Sequence, residues 1–242
     1  MKNSIEVINL SKSYKTKKAV NNISFKIDEN EIVGLLGPNG CGKTTTIGMI
    51  LGLLKPTSGQ VLINGKNIEN NKISILHKMN FISPYIELPK KLTVKQNLIV
   101  YGKLYNIKNL NERINFLSEK LRLGDLLDKI TGELSSGQKN RVSLAKALIN
   151  DPTVLLLDEP TAALDPETAD FIRTFLEKLR EEKKISVLLA SHNMDEVKRL
   201  CNSVMMMKDG NIVDSGTPED LIEKYGQKNL EEVFLEIVRK DK

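Results

Sequence analysis

The sequence contains no tryptophan and only two cysteines, and aromatic residues make up 5% of its 242 positions. Cys41 and Cys201 cannot complete a zinc site without other ligands, and we expect no structural disulfide between them. No apolar run approaches the roughly 18 residues that a membrane span needs. The stretch MKNSIEVINLSKSYK also lacks the apolar core of a signal peptide. We therefore expect a protein that stays inside the cell.

The chain also lacks a concentrated basic surface, although its formal net charge is +5. The lysines are scattered, and no basic stripe alternates with aromatic residues, as a base-stacking nucleic-acid surface requires. We therefore expect a solvated coat of lysines and no nucleic-acid partner. Proximity to an anionic membrane surface is the alternative explanation of the charge.

The sequence does contain an ordered series of strand and helix patterns. The runs that predict strands are IEVINL, ISFKI, EIVGLLG, QVLING, 154–158 and 185–190. Helices are predicted over 44–53, 167–183, 193–200 and NLEEVFLEIVRK, with two more between Thr93 and Leu127. Asn64-Gly65 and Asp209-Gly210 have the chemistry of hairpin turns. The predicted fold class is α/β, with a parallel sheet, an antiparallel β layer near the N-terminus and an inserted helical subdomain.

The stretch GPNGCGKTT matches the phosphate-binding pattern G-x-x-x-x-G-K-[ST] between a predicted strand and a predicted helix. Glycines let the backbone curl, so that successive N–H groups converge on nucleotide phosphates at the positive end of the helix dipole. Lys43 adds a positive charge, the Thr44 hydroxyl can bind Mg²⁺, and Thr45 can reach an adjacent phosphate. The predicted phosphate site comprises Gly37, Pro38, Asn39, Gly40, Cys41, Gly42, Lys43, Thr44 and Thr45.

A second candidate site lies in VLLLDEP, where a predicted buried strand ends in two acids. Buried acids are costly unless they manage a cation or a proton. Asp158 is placed to orient Mg²⁺ through its water shell, and Glu159 could polarise an attacking water as a general base.

Another anion-facing helix start lies far from the phosphate loop, in ELSSGQKNR. The phosphate loop, LSSGQ (134–138), LLLDEPT and AALD occur in this order. With this set of motifs the chain resembles the ATP-binding subunits of ABC transporters over almost its whole length. LSSGQ, called here the signature segment, is close to the family's LSGGQ and is the most specific of the markers.

The resemblance implies that two such domains dock head to tail around ATP. Ser135, Gly137 and Gln138 of one copy would then complete the nucleotide site of the other, and Asp165 would lie in a loop at the dimer interface. The resemblance also places Tyr14 against the adenine, with Val20 flanking the ring. His192, which follows a predicted buried strand, matches the family's switch histidine, which contacts the γ-phosphate; Lys43 and Glu159 complete the implied catalytic set.

Two positions depart from the family pattern. Ser136 stands where the family usually has glycine, and we expect this exchange to be tolerated. The family also has a glutamine between the strand at 80–82 and LTVKQNL, but this chain has FISPYIELPKK. Ser83, Pro84 or Tyr85 occupies that position, because Gln96 lies too far along the chain. Ser83 could offer a weaker oxygen ligand to Mg²⁺, and hydrolysis is expected to be slow or differently coupled.

The ending of the chain, with its hairpin and NLEEVFLEIV, resembles ATP-binding subunits of drug exporters whose permease is a separate protein. The predicted function is therefore an ATPase that uses ATP and Mg²⁺ to power such a permease, peripherally bound to the cytoplasmic face of the membrane. Its working form would be a homodimer or a heterodimer with a related subunit. The alternatives are a soluble ATPase of the same family that acts on nucleic acid or ribosomes, and a weakly hydrolysing regulatory subunit. We expect a single domain over 1–242, with an α/β core (1–82, 150–216), a helical subdomain (83–149) and C-terminal helices (217–242).

Overall fold

The structure is a computed structural model that describes residues 3–15, 17–84, 86–182 and 185–239. Its strands are β1 (Asn3–Tyr14), β2 (Lys17–Asp28), β3 (Ile32–Leu36), β4 (Ser58–Ile63), β5 (Lys66–Asn67), β6 (Met79–Ile82), β7 (Val154–Asp158), β8 (Ser186–Ala190), β9 (Ser203–Lys208) and β10 (Asn211–Gly216). Its helices are α1 (Lys43–Ile50), α2 (Ile68–Leu76), α3 (Val94–Leu104), α4 (Leu110–Lys120), α5 (Ser136–Leu148), α6 (Pro166–Glu182), α7 (Met194–Leu200), α8 (Pro218–Tyr225) and α9 (Leu230–Arg239).

A central sheet with the strand order β10-β9-β3-β8-β7-β6 carries the fold. Its strands run parallel, apart from β10, which pairs antiparallel with β9. Every residue of β3, β7 and β8 is buried, as their continuous apolar sequences predict for strands covered on both faces. Along β7, Leu155 and Leu157 enter one hydrophobic core, whereas Leu156 enters the core on the opposite face.

A second sheet, antiparallel and ordered β2-β1-β4-β5, forms the predicted β layer. Its β4–β5 hairpin turns at Asn64 and Gly65, with φ angles of 48° and 75°. The β9–β10 hairpin of the central sheet turns at Asp209 and Gly210, with φ angles of 46° and 80°. Both turns need positive φ angles, which asparagine, aspartate and glycine tolerate best, so both predicted hairpins are confirmed.

Helices α3, α4 and α5 form the block that interrupts the central sheet between β6 and β7. Their buried residues, among them Leu98, Leu117 and Val142, join the core that also contains Leu155 of the sheet. Because α5 leads directly into β7, its starting residues lie on the same segment of chain as the acidic end of that strand. Among the described helices, none is both long and apolar enough to cross a membrane.

Several predicted boundaries differ from the observed ones. The helix predicted over 44–53 spans Lys43–Ile50. Helix α2 had no counterpart in the prediction, because its apolar positions are few and its backbone is kinked at Asn71. The helix predicted over 167–183 spans Pro166–Glu182, and residue 183 lies outside the described residues.

Candidate functional site

The loop between β3 and α1 is packed so tightly that two of its glycines have no space for a side chain. A Cβ atom on Gly37 would lie 2.3 Å from the carbonyl oxygen of Met207 and 2.4 Å from Sγ of Cys41. Gly42 has a φ angle of 115°, and a Cβ atom there would lie 2.4 Å from the carbonyl oxygen of Ala19. The loop is therefore pressed against β9 and β2, with the backbone shape that its glycines predicted.

Lys43, the first residue of α1, is buried, with 8% of its surface exposed. Its Nζ atom donates to the carbonyl oxygens of Gly37 (2.5 Å) and Pro38 (3.2 Å). The next residue, Thr44, is exposed. The ammonium group is thus held against the loop backbone, at the end of a helix where anions are favoured.

Asp158 ends β7 at the carboxyl edge of the sheet, opposite Ala190 of β8. It is 3% exposed, and its Oδ2 atom has no hydrogen-bond partner among the described residues. Burial raises the pKa of Asp158, and the neighbouring Glu159 raises it further, while Lys43 acts in the opposite direction. A buried carboxylate oxygen without a donor fits a cation as its missing partner.

Glu159 and His192 meet at the ends of the adjacent strands β7 and β8. The Nδ1 atom of His192 lies 2.7 Å from Oε1 of Glu159. Glu159 has a φ angle of 52°, in the left-handed region, and its N–H donates to the carbonyl oxygen of Ala190 at 2.8 Å. The Glu159 side chain is 19% exposed and that of His192 is 68% exposed. The pair therefore reaches solvent at the same edge of the sheet as Asp158.

These groups share one cleft with a volume of about 720 Å³. Its lining brings together most of the residues predicted for the site, from four separate segments of the chain. The predicted residues that line it are Tyr14, Gly37, Pro38, Asn39, Gly40, Gly42, Lys43, Thr44, Thr45, Asp158, Glu159 and His192. Lys17, Ala19 and Phe234 also line it and were missed, since no motif marks them.

Two predicted residues lie beneath the cleft rather than in its lining. Val20 is fully buried, with its Cγ2 atom 3.3 Å from the place where a Cβ atom on Gly42 would lie, and it is Ala19 that faces the cleft. Cys41 is 3% exposed, and burial raises the pKa of its thiol. Both side chains therefore support the loop from the core side.

The segment after β6 lies between the cleft and a neighbouring cavity of about 240 Å³. Ser83 is buried and lines that neighbouring cavity, whereas Pro84 lines both. Tyr85 lies outside the described residues. Gln96 lies inside a helix, as predicted: it is the third residue of α3, where its side chain accepts a hydrogen bond from the N–H of Thr93.

The signature segment forms the start of α5. Ser135 caps the helix by accepting from the N–H of Gln138 (3.3 Å), and the Oε1 atom of Gln138 accepts from the N–H of Ser135 (3.0 Å). Gly137 is buried, and a Cβ atom there would lie 3.0 Å from Thr168 in α6. Asp165 caps α6 by accepting from the N–H of Thr168 at 2.9 Å, a bond that lowers the pKa of Asp165. The described residues that line the cleft include none from 134–138.

A buried acid that the sequence did not reveal lies behind the cleft. Glu196 has no exposed surface, and it accepts hydrogen bonds from Thr161 and Ser191. In the sequence it stands in the first turn of a helix, where an acid is ordinary. Only the packing distinguishes it from its exposed counterparts.

A family profile described as "ABC transporter" matches residues 20–162, more than half of the chain. The chain belongs to the ABC transporter family. A shorter match, over 132–197, is to a profile described as "AAA domain, putative AbiEii toxin, Type IV TA system". Membership confirms the predicted class of function, the ATP-binding and ATP-hydrolysing subunit of a transport system.

Curated relatives align with nearly all of the chain. It is 34% identical to the ABC transporter ATP-binding protein NatA of Bacillus subtilis, covering 91% of each chain. It is 38% identical to the Nod factor export ATP-binding protein I of Rhizobium johnstonii, covering 91% of this chain and 71% of the relative. It is 35% identical to the choline transport ATP-binding protein OpuBA of Bacillus subtilis, covering 93% of this chain but only 60% of the relative.

Solved structures agree with this family and confirm the predicted fold class. An ATP-binding subunit of an ABC transporter superposes with a TM-score of 0.89 at 26% identity, covering 97% of this chain and 99% of that one. A dimeric, post-hydrolysis state of an ATP-binding cassette bound to ADP and Pi superposes with a TM-score of 0.80 at 27% identity, covering 88% and 98%. ATP-binding subunits of this family form dimers and work together with membrane permeases.

Proposed function

We propose that this chain binds ATP and Mg²⁺ in the cleft at the carboxyl edge of the central sheet and hydrolyses the ATP in a head-to-tail dimer. The observation that carries the proposal is the meeting of Glu159 with His192, 2.7 Å apart, in the same cleft as Lys43 and the partnerless oxygen of Asp158. A phosphate-binding loop, a cation ligand and a candidate base are the parts that phosphoryl transfer to water requires.

In this proposal the loop between β3 and α1 and the ammonium of Lys43 hold the β- and γ-phosphates. The Thr44 hydroxyl and Asp158 would hold Mg²⁺, whose contribution is to neutralise phosphate charge. Ser83 is a weaker candidate ligand, since it lines the neighbouring cavity. Tyr14, which is 46% exposed at the edge of the cleft, offers a ring on which adenine can stack.

Glu159 is proposed to accept a proton from the attacking water, and His192 to hold the carboxylate in place and contact the γ-phosphate. The geometry supports this division of roles, because one carboxylate oxygen lies against the imidazole and the side chain still reaches the cleft. General-base assistance of this kind typically contributes about 10²–10⁴ in rate.

The signature segment is proposed to complete the site of a second copy. Ser135 is exposed and shaped by its own helix cap, and its segment does not line the cleft of the described chain. In the dimer, the hydroxyl of Ser135 and the backbone beside Gly137 and Gln138 would face the γ-phosphate held by the partner copy, with Asp165 at the interface. The dimeric cassette bound to ADP and Pi supports this arrangement.

We further propose that the dimer drives an exporter from the cytoplasmic face of the membrane. The name of the Nod factor relative supports export, and the resemblance of the C-terminal region to exporter subunits points the same way. The permease would dock near residues 83–100, where the cavity of about 240 Å³ opens between the sheet and the helical block.

The test is the exchange Glu159→Gln in the purified chain. We expect the turnover number to fall by at least about 100-fold, because the amide cannot accept the proton. ATP binding should persist, and light scattering should detect a stable dimer when ATP and Mg²⁺ are present. Glu219→Gln, on the exposed start of α8, is the matched control and should behave like the unaltered chain. Normal turnover in Glu159→Gln would remove this residue from the proposed role.

The absent glutamine favours one second candidate, a regulatory subunit that binds ATP but barely hydrolyses it. The described residues at that position are Ser83, which is buried, and Pro84, and neither carries the amide side chain of a glutamine. A steady-state ATPase assay with and without the co-purified permease decides between the two. A rate indistinguishable from that of Glu159→Gln in both conditions would favour the regulatory subunit.

A further inference from the structure

Glu196 lies at the start of α7, directly behind the pair formed by Glu159 and His192. It is fully buried, with no exposed surface. Its backbone N–H donates to the side chain of Asn193, the residue that caps α7. A buried carboxyl group destabilises the folded chain unless each of its oxygens is hydrogen-bonded.

Each carboxylate oxygen of Glu196 accepts from a hydroxyl on a different loop. The Thr161 hydroxyl donates to Oε1 at 2.8 Å, and the Ser191 hydroxyl donates to Oε2 at 2.6 Å. Thr161 is 8% exposed and Ser191 is fully buried, so water does not compete strongly for either hydroxyl. The Ser191 hydroxyl also accepts from the N–H of Asn193 at 3.1 Å, which leaves its proton for Glu196.

The two hydroxyls belong to the loops that carry the proposed catalytic pair. Thr161 is two residues after Glu159, in a turn closed by the bond from the N–H of Ala162 to the carbonyl oxygen of Glu159 (3.1 Å). Ser191 immediately precedes His192. One carboxylate therefore connects the loop after β7 with the loop after β8.

The backbone of Glu159 has an unfavourable conformation that its surroundings must hold in place. Its φ angle of 52° is unfavourable for a residue with a side chain, and such conformations persist only where the surroundings impose them. The bond from its N–H to Ala190 fixes one end of the loop, and the Thr161 hydroxyl on Glu196 fixes the other.

The hydrogen-bond donors around Glu196 offset part of the cost of burying its side chain. Burial raises the pKa of Glu196, and the charge of Glu159 acts in the same direction, while the hydrogen bonds from Ser191 and Thr161 and the charge of Arg173 oppose this rise without cancelling it. Two hydroxyl donors and a nearby guanidinium favour an acceptor with both oxygens available.

We propose that Glu196 is a positioning residue, which holds the loops after β7 and β8 in the relative position at which Glu159 and His192 meet. Glu196 touches neither nucleotide nor water in this proposal, and it acts only through Thr161 and Ser191. The consequence for catalysis rests on the roles proposed above for Glu159 and His192, but the consequence for their geometry does not.

The geometric test uses the fact that the chain has two histidines, His77 and His192. In protein labelled with ¹⁵N at histidine, a His77→Gln background leaves the imidazole signals of His192 alone in the spectrum. Glu159→Gln provides the reference for a His192 ring that has lost its carboxylate. We expect Glu196→Gln to move the His192 signals most of the way to that reference. The amide nitrogen donates where the carboxylate oxygen accepted, so one of the two hydroxyls must turn away its proton and reverse its bond.

A matched control lies at the other end of the same strand. Ser186 is as fully buried as Ser191, and its hydroxyl is bonded to Ser4 and to the carbonyl oxygen of Asp28, far from the cleft. Ser186→Ala therefore removes a buried hydroxyl of the same kind, and it should lower the melting temperature without moving the His192 signals. Ser191→Ala should do both.

Kinetics then separate positioning from general stability. At a temperature where all variants are folded, Glu196→Gln should lower kcat about tenfold and leave the KM for ATP within about twofold, as displacement of a catalytic group does. Thr161→Ser should retain normal kcat, because it keeps the hydroxyl. Thr161→Val and Ser191→Ala together should cost less than the product of their separate factors, since both act through one carboxylate.

The outcomes are distinguishable. Unmoved His192 signals in folded Glu196→Gln would overturn the proposal, as would an equal fall of kcat in Ser186→Ala. If Glu196→Gln does not fold, Thr161→Val and Ser191→Ala carry the same measurements. Normal turnover in Glu159→Gln would defeat the proposed catalytic role while the spectra still reported whether Glu196 positions the pair.

Discussion

The cleft and the signature segment satisfy their polar groups in opposite ways. In the cleft, Asp158 keeps a buried oxygen without a hydrogen-bond partner among the described residues, and the ammonium group of Lys43 donates to the backbone carbonyls of Gly37 and Pro38. In the signature segment, Ser135 and Gln138 bond each other reciprocally and complete a helix cap. The cleft thus contains buried polar groups whose burial a bound ligand would make less costly. The signature segment is already stabilised by its own hydrogen bonds and is exposed at Ser135.

This contrast separates binding from completion of the site. A group that is costly until a ligand arrives gains most from that ligand, so affinity is expected to reside in the cleft. A segment that folds without a ligand can remain exposed until a second copy brings a nucleotide to it. The two regions should therefore respond differently to mutation, in nucleotide affinity, in dimerisation and in stability.

The largest expected effect is on nucleotide affinity, when the cleft loses the ammonium group of Lys43. Lys43→Ala should raise the dissociation constant for ATP by about 10- to 100-fold, because it removes a charged donor to the phosphates. Fluorescence titration with a labelled ATP analogue measures this. Lys72→Ala is the control, since the Nζ atom of Lys72 also donates to a backbone carbonyl, that of Gly52 at 2.7 Å, on the exposed side of α2. Equal affinities in the two variants would contradict the proposed site.

The second effect is on turnover, when the signature segment keeps its shape but changes its charge. Aspartate caps helices as well as serine does, so Ser135→Asp should retain the melting temperature and the binding of ATP to the monomer. It should lower ATP-dependent dimerisation and turnover about tenfold or more, because a carboxylate would face the partner's phosphates.

Thr93→Asp makes the matching exchange in the capping box of α3, where the third residue is again a glutamine, Gln96. In the purified chain it should leave dimerisation and turnover unchanged. A Ser135→Asp chain that dimerises normally with ATP would show that the segment does not face the partner's nucleotide.

Much of this site could be predicted because its chemistry is local in sequence. The glycines of the phosphate loop, Lys43 and the acids after VLLLD lie next to strand patterns that place them at one sheet edge, and the structure brings them into one cleft. The roles of these residues, like the subdomain boundaries, remain predictions. The burial of Val20 could not be predicted from the sequence. Alternation along β2 shows that Ala19 and Val20 face opposite sides, but it does not show which of the two faces the cleft.

The Glu196 connection was missed for a different reason. It joins Thr161 and Ser191, which lie 35 and 5 residues away, and no local pattern encodes such a contact. The cap of α5 was predicted only as a place for an anion. The structure adds that Ser135 is already engaged with Gln138, which a sequence pattern cannot decide.

The smallest expected effect, on stability, has opposite signs in the two regions. Because burial and Glu159 raise the pKa of Asp158 above that of the unfolded chain, its ionised form costs stability at neutral pH. In metal-free protein with EDTA, Asp158→Asn should therefore raise the free energy of unfolding by about 1 kcal/mol at pH 8. The difference should shrink as the pH falls through the raised pKa, since the unaltered Asp158 then becomes neutral as well. Ser135→Ala should instead destabilise the chain by about 1 kcal/mol at both pH values, because a lost cap does not titrate. Urea unfolding at the two pH values measures both, and an Asp158→Asn chain less stable than the original at pH 8 would show that the carboxylate is not the costly group.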